Sequence, residues 1–290
     1  ESQVISRHLD FQARILKNTS QSYYTIGSSG HEGNAAVGKA FGLNDMAFLH
    51  YRSGALMIQR SKKLKGSTPI YDNLLSFVAS SEDPISGGRH KVFGSLALNV
   101  PPQTSTIASH LPKAMGMAFS IGKKAEFQKY FPDDSVVICN FGDASLNHST
   151  AQGAINTAGW IAYRKIPLPI VFICEDNGIG ISVKTPPDWV KASMEFRPGI
   201  KYMACDGLNL ADAYRGAKEA ADYARKNQAP VFLHMKTIRM MGHAGSDIEF
   251  NYMDLKEIET NEAQDPLLHS AHLLLKDKIL SVDEILNLYE

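Results

Sequence analysis

Asp143 and Asn177 are the two residues whose types and placement best support chemistry in this 290-residue chain. A β-branched apolar run, Val136 to Phe141, stops at Gly142-Asp143-Ala144-Ser145. A second run, Ile170 to Cys174, stops at Asp176-Asn177-Gly178. A small-residue stretch with helical spacing lies between them. Strand, helix and strand in that order read as a βαβ unit, and open α/β sheets bind ligands at the carboxyl ends of such strands. A carboxylate and an amide oxygen at neighbouring strand ends are hard ligands, sparse enough to leave Mg²⁺ room for phosphate oxygens. The small residues at 142 and 144 let backbone N–H groups approach a diphosphate closely. Taken singly, these are also ordinary turn residues.

The elements that must hold these residues follow from the rest of the chain. An amphipathic helix opens it, and a polar loop, SQSYYTIGSSGHEG, leads into a helix from Gly33 to Phe41. A short strand-like run ends in Tyr51-Arg52, and residues 53–80 read as helical with a basic break. A long irregular segment follows, and a loop of that length inside a compact domain is usually functional. A helix from Leu111 to about Lys124 precedes the regular part. That part reads as strand 135–141, helix 149–163, strand 169–174, strand 200–204, helix 209–226 and strand 230–238. The last strand runs into a glycine-bearing loop, Arg239 to Asp247. The remainder is helical and packs outside the sheet. These elements predict an α/β fold, a parallel sheet flanked by helices in three layers, with residues 1–253 as the domain and 254–290 as a helical extension.

Bulk properties narrow the function. Lysine plus arginine balances aspartate plus glutamate at 30 each, and no basic stripe or RNA-binding aromatic motif is present, so nucleic acid is not an expected partner. No apolar run reaches the ~20 residues of a membrane span. Three cysteines, Cys139, Cys174 and Cys205, lie in strand-like runs, as buried thiols of a reducing compartment do. Both ends read as cut points in a longer chain. The expected location is the cytoplasm, or the mitochondrial matrix in a eukaryote.

Gly142-Asp143-Ala144 followed by Asp176-Asn177 resembles the thiamine diphosphate motif, Gly-Asp-Gly with a downstream Asn-Asn. Further blocks match in order. Gly30-His-Glu-Gly33 is similar to an early Gly-Gln-Glu-Ala block, and His50-Tyr51-Arg52-Ser53 to His-Tyr-Arg-Asp. Gly87-Gly88-Arg89 matches a Gly-Gly-Arg block, and Arg239-Met-Met-Gly-His243 an Arg-x-x-Gly-His loop. Over nearly its whole length the chain thus resembles the α subunit of the decarboxylating component of 2-oxo acid dehydrogenase complexes. Ala144, Ser53 and a longer gap between Asp143 and Asn177 depart from the family pattern.

The resemblance implies roles. Asp143, the Asn177 side chain and the Ile179 carbonyl would hold Mg²⁺. Tyr51, Arg52 and Arg239 would bind the diphosphate, with the backbone from Gly142 through Asp143 and Ala144 to Ser145 beneath it. The backbones of Ser105 and Ile107 would meet the aminopyrimidine, and His243 would position the 2-oxo acid and handle protons. The implied reaction is oxidative decarboxylation of a 2-oxo acid, branched-chain slightly favoured over pyruvate, with acyl transfer to a lipoyl group on a partner acyltransferase. A β subunit, or a fused β half, would supply the glutamate that activates the cofactor. Two alternatives stay open: an acetoin-cleaving or other thiamine-dependent lyase or transferase, and a non-catalytic degenerate subunit.

Overall fold

The computed structural model describes residues 1–90, 92–123 and 131–290. Nine strands are present among them: β1 Ala47–Phe48, β2 Phe93–Ser95, β3 Val100–Gln103, β4 Val137–Gly142, β5 Ile170–Asp176, β6 Ile179–Gly180, β7 Val183–Lys184, β8 Lys201–Asp206 and β9 Val231–Lys236. The α-helices are α1 Ser2–Asn18, α2 Ala35–Ala40, α3 Gly54–Ser61, α4 Pro69–Phe77, α5 Leu111–Ser120, α6 Asp143–Leu146, α7 Ser149–Tyr163, α8 Trp189–Met194, α9 Leu210–Asn227, α10 Leu255–Glu262, α11 Pro266–Lys276 and α12 Val282–Tyr289.

Five strands form one sheet in the order β1-β4-β5-β9-β8, every pair parallel. Central strands of such sheets are covered on both faces and read as continuous apolar runs. All six residues of β4 are buried, as are the first six of β5. Val136, Ile138, Val171, Ile173, Leu233 and Met235 pack with α2, α3 and α9 on one face. Val137, Cys139, Phe141, Phe172, Cys174 and Phe232 pack with α5, α7 and α8 on the other. The three expected layers are therefore present, and all three cysteines are buried and unpaired.

Local chemistry explains the principal covering helix. Helix α9 begins at Asn209, whose side chain accepts from the N–H groups of Ala211 and Asp212 at 3.1 and 3.2 Å. Asp212 lies in its first turn and Arg225 and Lys226 in its last, complementing the helix dipole. Its buried face is small: Ala213, Gly216, Ala217, Ala220, Ala221 and Ala224. A side chain at Gly216 would start 2.7 Å from the Cys205 Cβ, so glycine there permits the helix to lie close on β8.

The C-terminal helices are tied back to the domain. Arg7 on α1 donates to Glu32 at 2.7 Å and to both carboxylate oxygens of Asp265 at 2.8 and 2.9 Å, all three buried. These two carboxylates hold the guanidinium firmly protonated against the effect of its burial. No helix among the described residues is long and apolar enough to cross a membrane.

Two segments differ from the sequence expectation. The long segment before α5 contains an antiparallel ribbon, β2 with β3, turned by Asn99 at φ +51°. Its strands are only three and four residues long and β3 contains Pro101-Pro102, so no alternating pattern marks it. Residues 179–194 form the β6–β7 hairpin and α8, elements too short for a periodic signal. The helix expected to reach about Lys124 runs from Leu111 to Ser120, and Lys124 lies outside the described residues.

Candidate active site

Parallel pairing sets Gly142, the last residue of β4, beside Glu175 of β5, so the loops leaving the two strands start from one rim of the sheet. Asp143 opens α6 and is 1% exposed. Its carboxylate accepts the Thr185 hydroxyl and the backbone N–H groups of Asn177 and of Asp143 itself. Burial raises its pKa, the nearby Asp176 adds to the rise, and the hydrogen bonds oppose it. A buried carboxylate lacking a cationic partner is costly, and a cation is the natural complement.

The second strand end supplies the oxygens around it. Asn177 Oδ1 accepts from the Ile179 N–H at 3.1 Å, and Gly178, at φ +74°, turns the chain into the β6–β7 hairpin. The Gly178 carbonyl accepts the Thr185 N–H at 2.8 Å, closing that hairpin beside Asp143. At its tip Ile181 adopts φ +56° although β-branched, a conformation that needs external support. Arg239 gives that support by donating from Nη1 to the Ile181 carbonyl at 2.7 Å.

Ala144, the departure from the Gly-Asp-Gly pattern, has a visible counterpart. A Cβ added at Gly180 would lie 2.5 Å from the Ala144 Cβ, so the methyl group at 144 occupies space that a bare position 180 leaves open. Gly180→Ala is expected to destabilise the chain by about 1–3 kcal/mol through this overlap. Adding Ala144→Gly to that variant should recover most of the loss, and urea denaturation of the two single variants and the pair measures the coupling. Additive losses would show that the two positions are independent.

The arginines and His243 converge from separate elements. Arg52 is 3% exposed, donating from Nη1 to the Gly27 carbonyl at 2.6 Å and from Nη2 to His243 Nδ1 at 3.2 Å. Tyr51 lies under the same guanidinium, 5.2 Å from ring centre to Cζ, and meets the His243 ring edge-on. Arg239, also 3% exposed, donates from Nη2 to the Tyr252 hydroxyl at 2.6 Å, and its Nε has no partner among the described residues. Asp247 holds the loop by accepting from the His243 N–H and the Tyr252 hydroxyl, while its distance to Arg239 is a loose 3.9 Å. His50 is 4% exposed with neither ring nitrogen partnered among the described residues, its ring 4.0 Å from that of Tyr51. Its Cε1 lies 3.5 Å from where a Cβ at Gly142 would sit. An orphaned buried imidazole and an orphaned guanidinium Nε beside this rim both suit an anionic ligand.

Burial, with Arg52 and Arg239 adding to it, lowers the His243 pKa to about 4. The ring is therefore neutral near pH 7, with Nδ1 accepting from Arg52 and the proton on Nε2. A histidine whose folded-state pKa is depressed contributes its stability fully above about 6.5, and loses it as pH falls toward 4. NMR titration of the His243 ring should give a midpoint well below 6.5, and Arg52→Gln should raise it by about one unit or more. An unchanged midpoint in that variant would separate the two residues.

The remaining expected residues are placed less centrally. Ser105 lies beside the buried Tyr24 hydroxyl, which is near enough to Arg52 and Tyr51 to feel both. Ile107 on the same loop is 46% exposed. Ser145 is buried within α6, and Ala144 is exposed. Asp176 accepts from Gly178 N–H and pairs with His234 at 2.8 Å, in keeping with a turn-stabilising role. Sequence reasoning passed over Thr185, Tyr252, Gly180, and a polar group of His31, Asn34, Asn140 and Glu175 behind Asn177. The last had a signal: Glu175 shares a strand face with Val171 and Ile173, both core-facing.

Comparison with known proteins gives the family. The family profile described as "Dehydrogenase E1 component" matches residues 1–289. The chain is 27% identical over 290 residues to the 2-oxoisovalerate dehydrogenase subunit alpha of Bacillus subtilis, covering 97% of this chain and 82% of that one. It is 32% identical over 178 residues to the pyruvate dehydrogenase E1 component subunit alpha of Rickettsia felis, covering 59% and 50%. To the mitochondrial pyruvate dehydrogenase E1 component subunit alpha of Dictyostelium discoideum it is 26% identical over 258 residues, covering 87% and 62%. The chain thus spans between half and four-fifths of these relatives, all named as alpha subunits. It belongs to the dehydrogenase E1 component family, whose members depend on thiamine diphosphate.

Proposed function

We propose that the chain is the diphosphate-binding half of an enzyme that oxidatively decarboxylates a 2-oxo acid with thiamine diphosphate and Mg²⁺, and passes the acyl group to a lipoyl group on a partner acyltransferase. The observation that carries this reading is the meeting of Asp143 and Asn177 at one sheet rim, with Arg52, Arg239 and His243 beside it. Bound there, the cofactor supplies the electron sink for loss of carbon dioxide.

This chain's residues supply anchoring, orientation and proton handling. Asp143, the Asn177 side chain and the Ile179 carbonyl hold Mg²⁺. That set of one carboxylate and two neutral oxygens leaves coordination positions for phosphate and water. Arg52, Arg239 and Tyr51 bind the diphosphate, exchanging part of their present contacts for it. The glycine and small residues from Gly142 to Ser145 allow the close approach, and α6 is too short to contribute a substantial dipole. The loop with Ser105 and Ile107 meets the aminopyrimidine. His243, neutral and with its Nε2 proton directed by the Arg52 bond at Nδ1, donates that proton to substrate oxygen and takes one back. A β subunit or fused β half completes the site with its activating glutamate.

Among substrates we favour branched-chain 2-oxo acids, supported by the 2-oxoisovalerate dehydrogenase relative whose similarity runs the length of this chain. The test is a side-by-side assay of the complete enzyme on 3-methyl-2-oxobutanoate, pyruvate and acetoin, following carbon dioxide release and acetoin loss. The expected order of kcat/KM is branched-chain acid, then pyruvate, then acetoin. Preference for pyruvate would reverse the substrate choice; cleavage of acetoin alone would overturn the reaction class.

A further inference from the structure

Behind Asn177 lies a polar cluster that the proposed chemistry does not use directly. Glu175 is 0% exposed on the core-facing side of β5, without a lysine or arginine partner among the described residues. Its two oxygens take three side-chain hydrogen bonds from other elements: Asn140 Nδ2 at 2.8 Å, Asn34 Nδ2 at 3.2 Å and His31 Nδ1 at 2.7 Å. His31 is likewise 0% exposed, and its other nitrogen, Nε2, lies 2.9 Å from Asn177 Nδ2. A buried polar network of this kind, in which both Glu175 oxygens and both His31 nitrogens have partners and Asn140 Oδ1 has none among the described residues, is a demanding use of core volume, where apolar residues of the same size pack at no such cost.

A metal centre does not explain it. His31, His50 and Glu175 bring three potential ligand atoms within 4.8 Å of one another. However, His31 Nδ1 and Glu175 Oε2 stand at hydrogen-bond distance, 2.7 Å. Two ligands of a tetrahedral zinc with bonds near 2.0–2.1 Å are separated by about 3.3 Å. The pair is closed on a proton.

The direction of the bonds then follows from donor and acceptor capacity. A carboxylate only accepts, so the His31 proton sits on Nδ1. Nε2 is left as an acceptor, and the Asn177 amide must turn its NH₂ toward it. The same orientation is required from the other side, where Asn177 Oδ1 accepts the Ile179 N–H at 3.1 Å. Two independent partners therefore agree on which end of the carboxamide is oxygen. In the other His31 tautomer Nε2–H would call for the amide oxygen, turning the NH₂ toward the hairpin and Asp143. An NH₂ group has no lone pair to offer a cation.

We propose that Glu175 and His31 form a positioning relay that fixes the carboxamide of Asn177 so that its Oδ1 is presented to the divalent cation. The proposal rests on the reading of Asn177 as a cation ligand. Glu175 sets the tautomer, His31 sets the amide, and Asn34 and Asn140 hold Glu175 so that it cannot turn. His31 and Glu175 are positioning residues; neither touches the cation.

The test uses the complete enzyme with thiamine diphosphate and Mn²⁺ as the probe cation, free Mn²⁺ being read by electron paramagnetic resonance. His31→Leu, which removes the acceptor, should weaken Mn²⁺ binding by about 10–100-fold, the usual effect of losing a partner that orients a ligand. His31→Gln supplies an N–H toward Glu175 and an oxygen toward Asn177, and should bind within about threefold of the parent. In an Asn177→Ala background, which itself loses affinity, His31→Leu should add nothing further. Unchanged Mn²⁺ affinity in His31→Leu, with Asn177→Ala still defective, would overturn the relay while leaving Asn177 a ligand. Unchanged affinity in Asn177→Ala would overturn the ligand reading and the relay with it. Should His31→Leu fail to fold, long-range ¹H–¹⁵N spectra of the unmutated protein decide. The Nδ1–H tautomer is expected, and the Nε2–H tautomer would refute the proposal.

Discussion

Asp143→Ala is expected to abolish thiamine diphosphate binding in the presence of Mg²⁺, with an affinity loss of at least about 100-fold, while leaving the fold intact. Asp143 is the only carboxylate among the proposed cation ligands, so its loss removes the one full negative charge that holds the ion. The same residue does little for the ligand-free chain. It is buried, its pKa is raised by that burial, and its only side-chain partner among the described residues is the neutral Thr185 hydroxyl. Removing such a group relieves a desolvation cost roughly as large as the hydrogen bonds it gives up. The ligand-free melting temperature should therefore stay within about 3 °C of the parent, or rise. The parent should gain about 2.7 kcal/mol of apparent stability at a ligand concentration near 100 times Kd, and the variant none. A variant that keeps its cofactor-induced shift would contradict the assignment of Asp143. A variant that unfolds would contradict the view that this carboxylate is not structural.

The 290 residues alone are expected to show no measurable decarboxylation, below about one-thousandth of the complete enzyme's rate. In the proposed reading the activating carboxylate comes from a second α/β half, and the described residues hold one five-stranded sheet beside two two-stranded ones. The surface fits an interface. Trp160 and Tyr163 on α7 are 66% and 72% exposed, Phe196 after α8 is 87% exposed, and Ile181 and Val183 of the hairpin are 59% and 73% exposed. Ile181 and Val183 border the site, while Trp160, Tyr163 and Phe196 lie toward the opposite ends of the strands; large exposed apolar side chains commonly mark a surface that a partner covers. The chain alone should consequently self-associate, and sedimentation velocity should show this dispersing when the partner half is added. Decarboxylation of a 2-oxo acid by the chain alone, with an artificial electron acceptor and at a rate comparable to the complete enzyme, would show that the carboxylate is supplied internally.

What was readable in the sequence was what local patterning determines. The apolar runs ending at Gly142 and Asp176 located β4 and β5, because buried parallel strands are continuous in composition. The turn residues that follow them located the site rim. The alanine and small-residue spacing of α9 and α7 located the covering helices. Elements held by tertiary contact were not readable. The β6–β7 hairpin is two residues on each side, stabilised by Arg239 on the Ile181 carbonyl and by Thr185 on Gly178. The β2–β3 ribbon has prolines where a strand pattern would be sought.

The site divides in the same way. Arg52, Asp143, Asn177, Arg239 and His243 are candidates from ordered motifs, and the geometry brings them to one region. The partners that fix their orientation come from distant positions: His31 for Asn177, Tyr252 for Arg239, Thr185 for Asp143. Such pairings leave no spacing in the sequence. The replacement of glycine by alanine at 144 reads as a weakening until Gly180 is seen opposite it.

The most direct measurement is anomalous diffraction at the manganese edge from crystals of the complete enzyme grown with thiamine diphosphate and Mn²⁺. The account predicts one strong peak per copy of this chain, within about 2.5 Å of an Asp143 carboxylate oxygen, Asn177 Oδ1 and the Ile179 carbonyl. A cofactor diphosphate should share that ion and lie against Arg52 and Arg239. A peak at the His31–His50–Glu175 cluster instead, or a bound cofactor whose diphosphate lies away from Asp143, would contradict it.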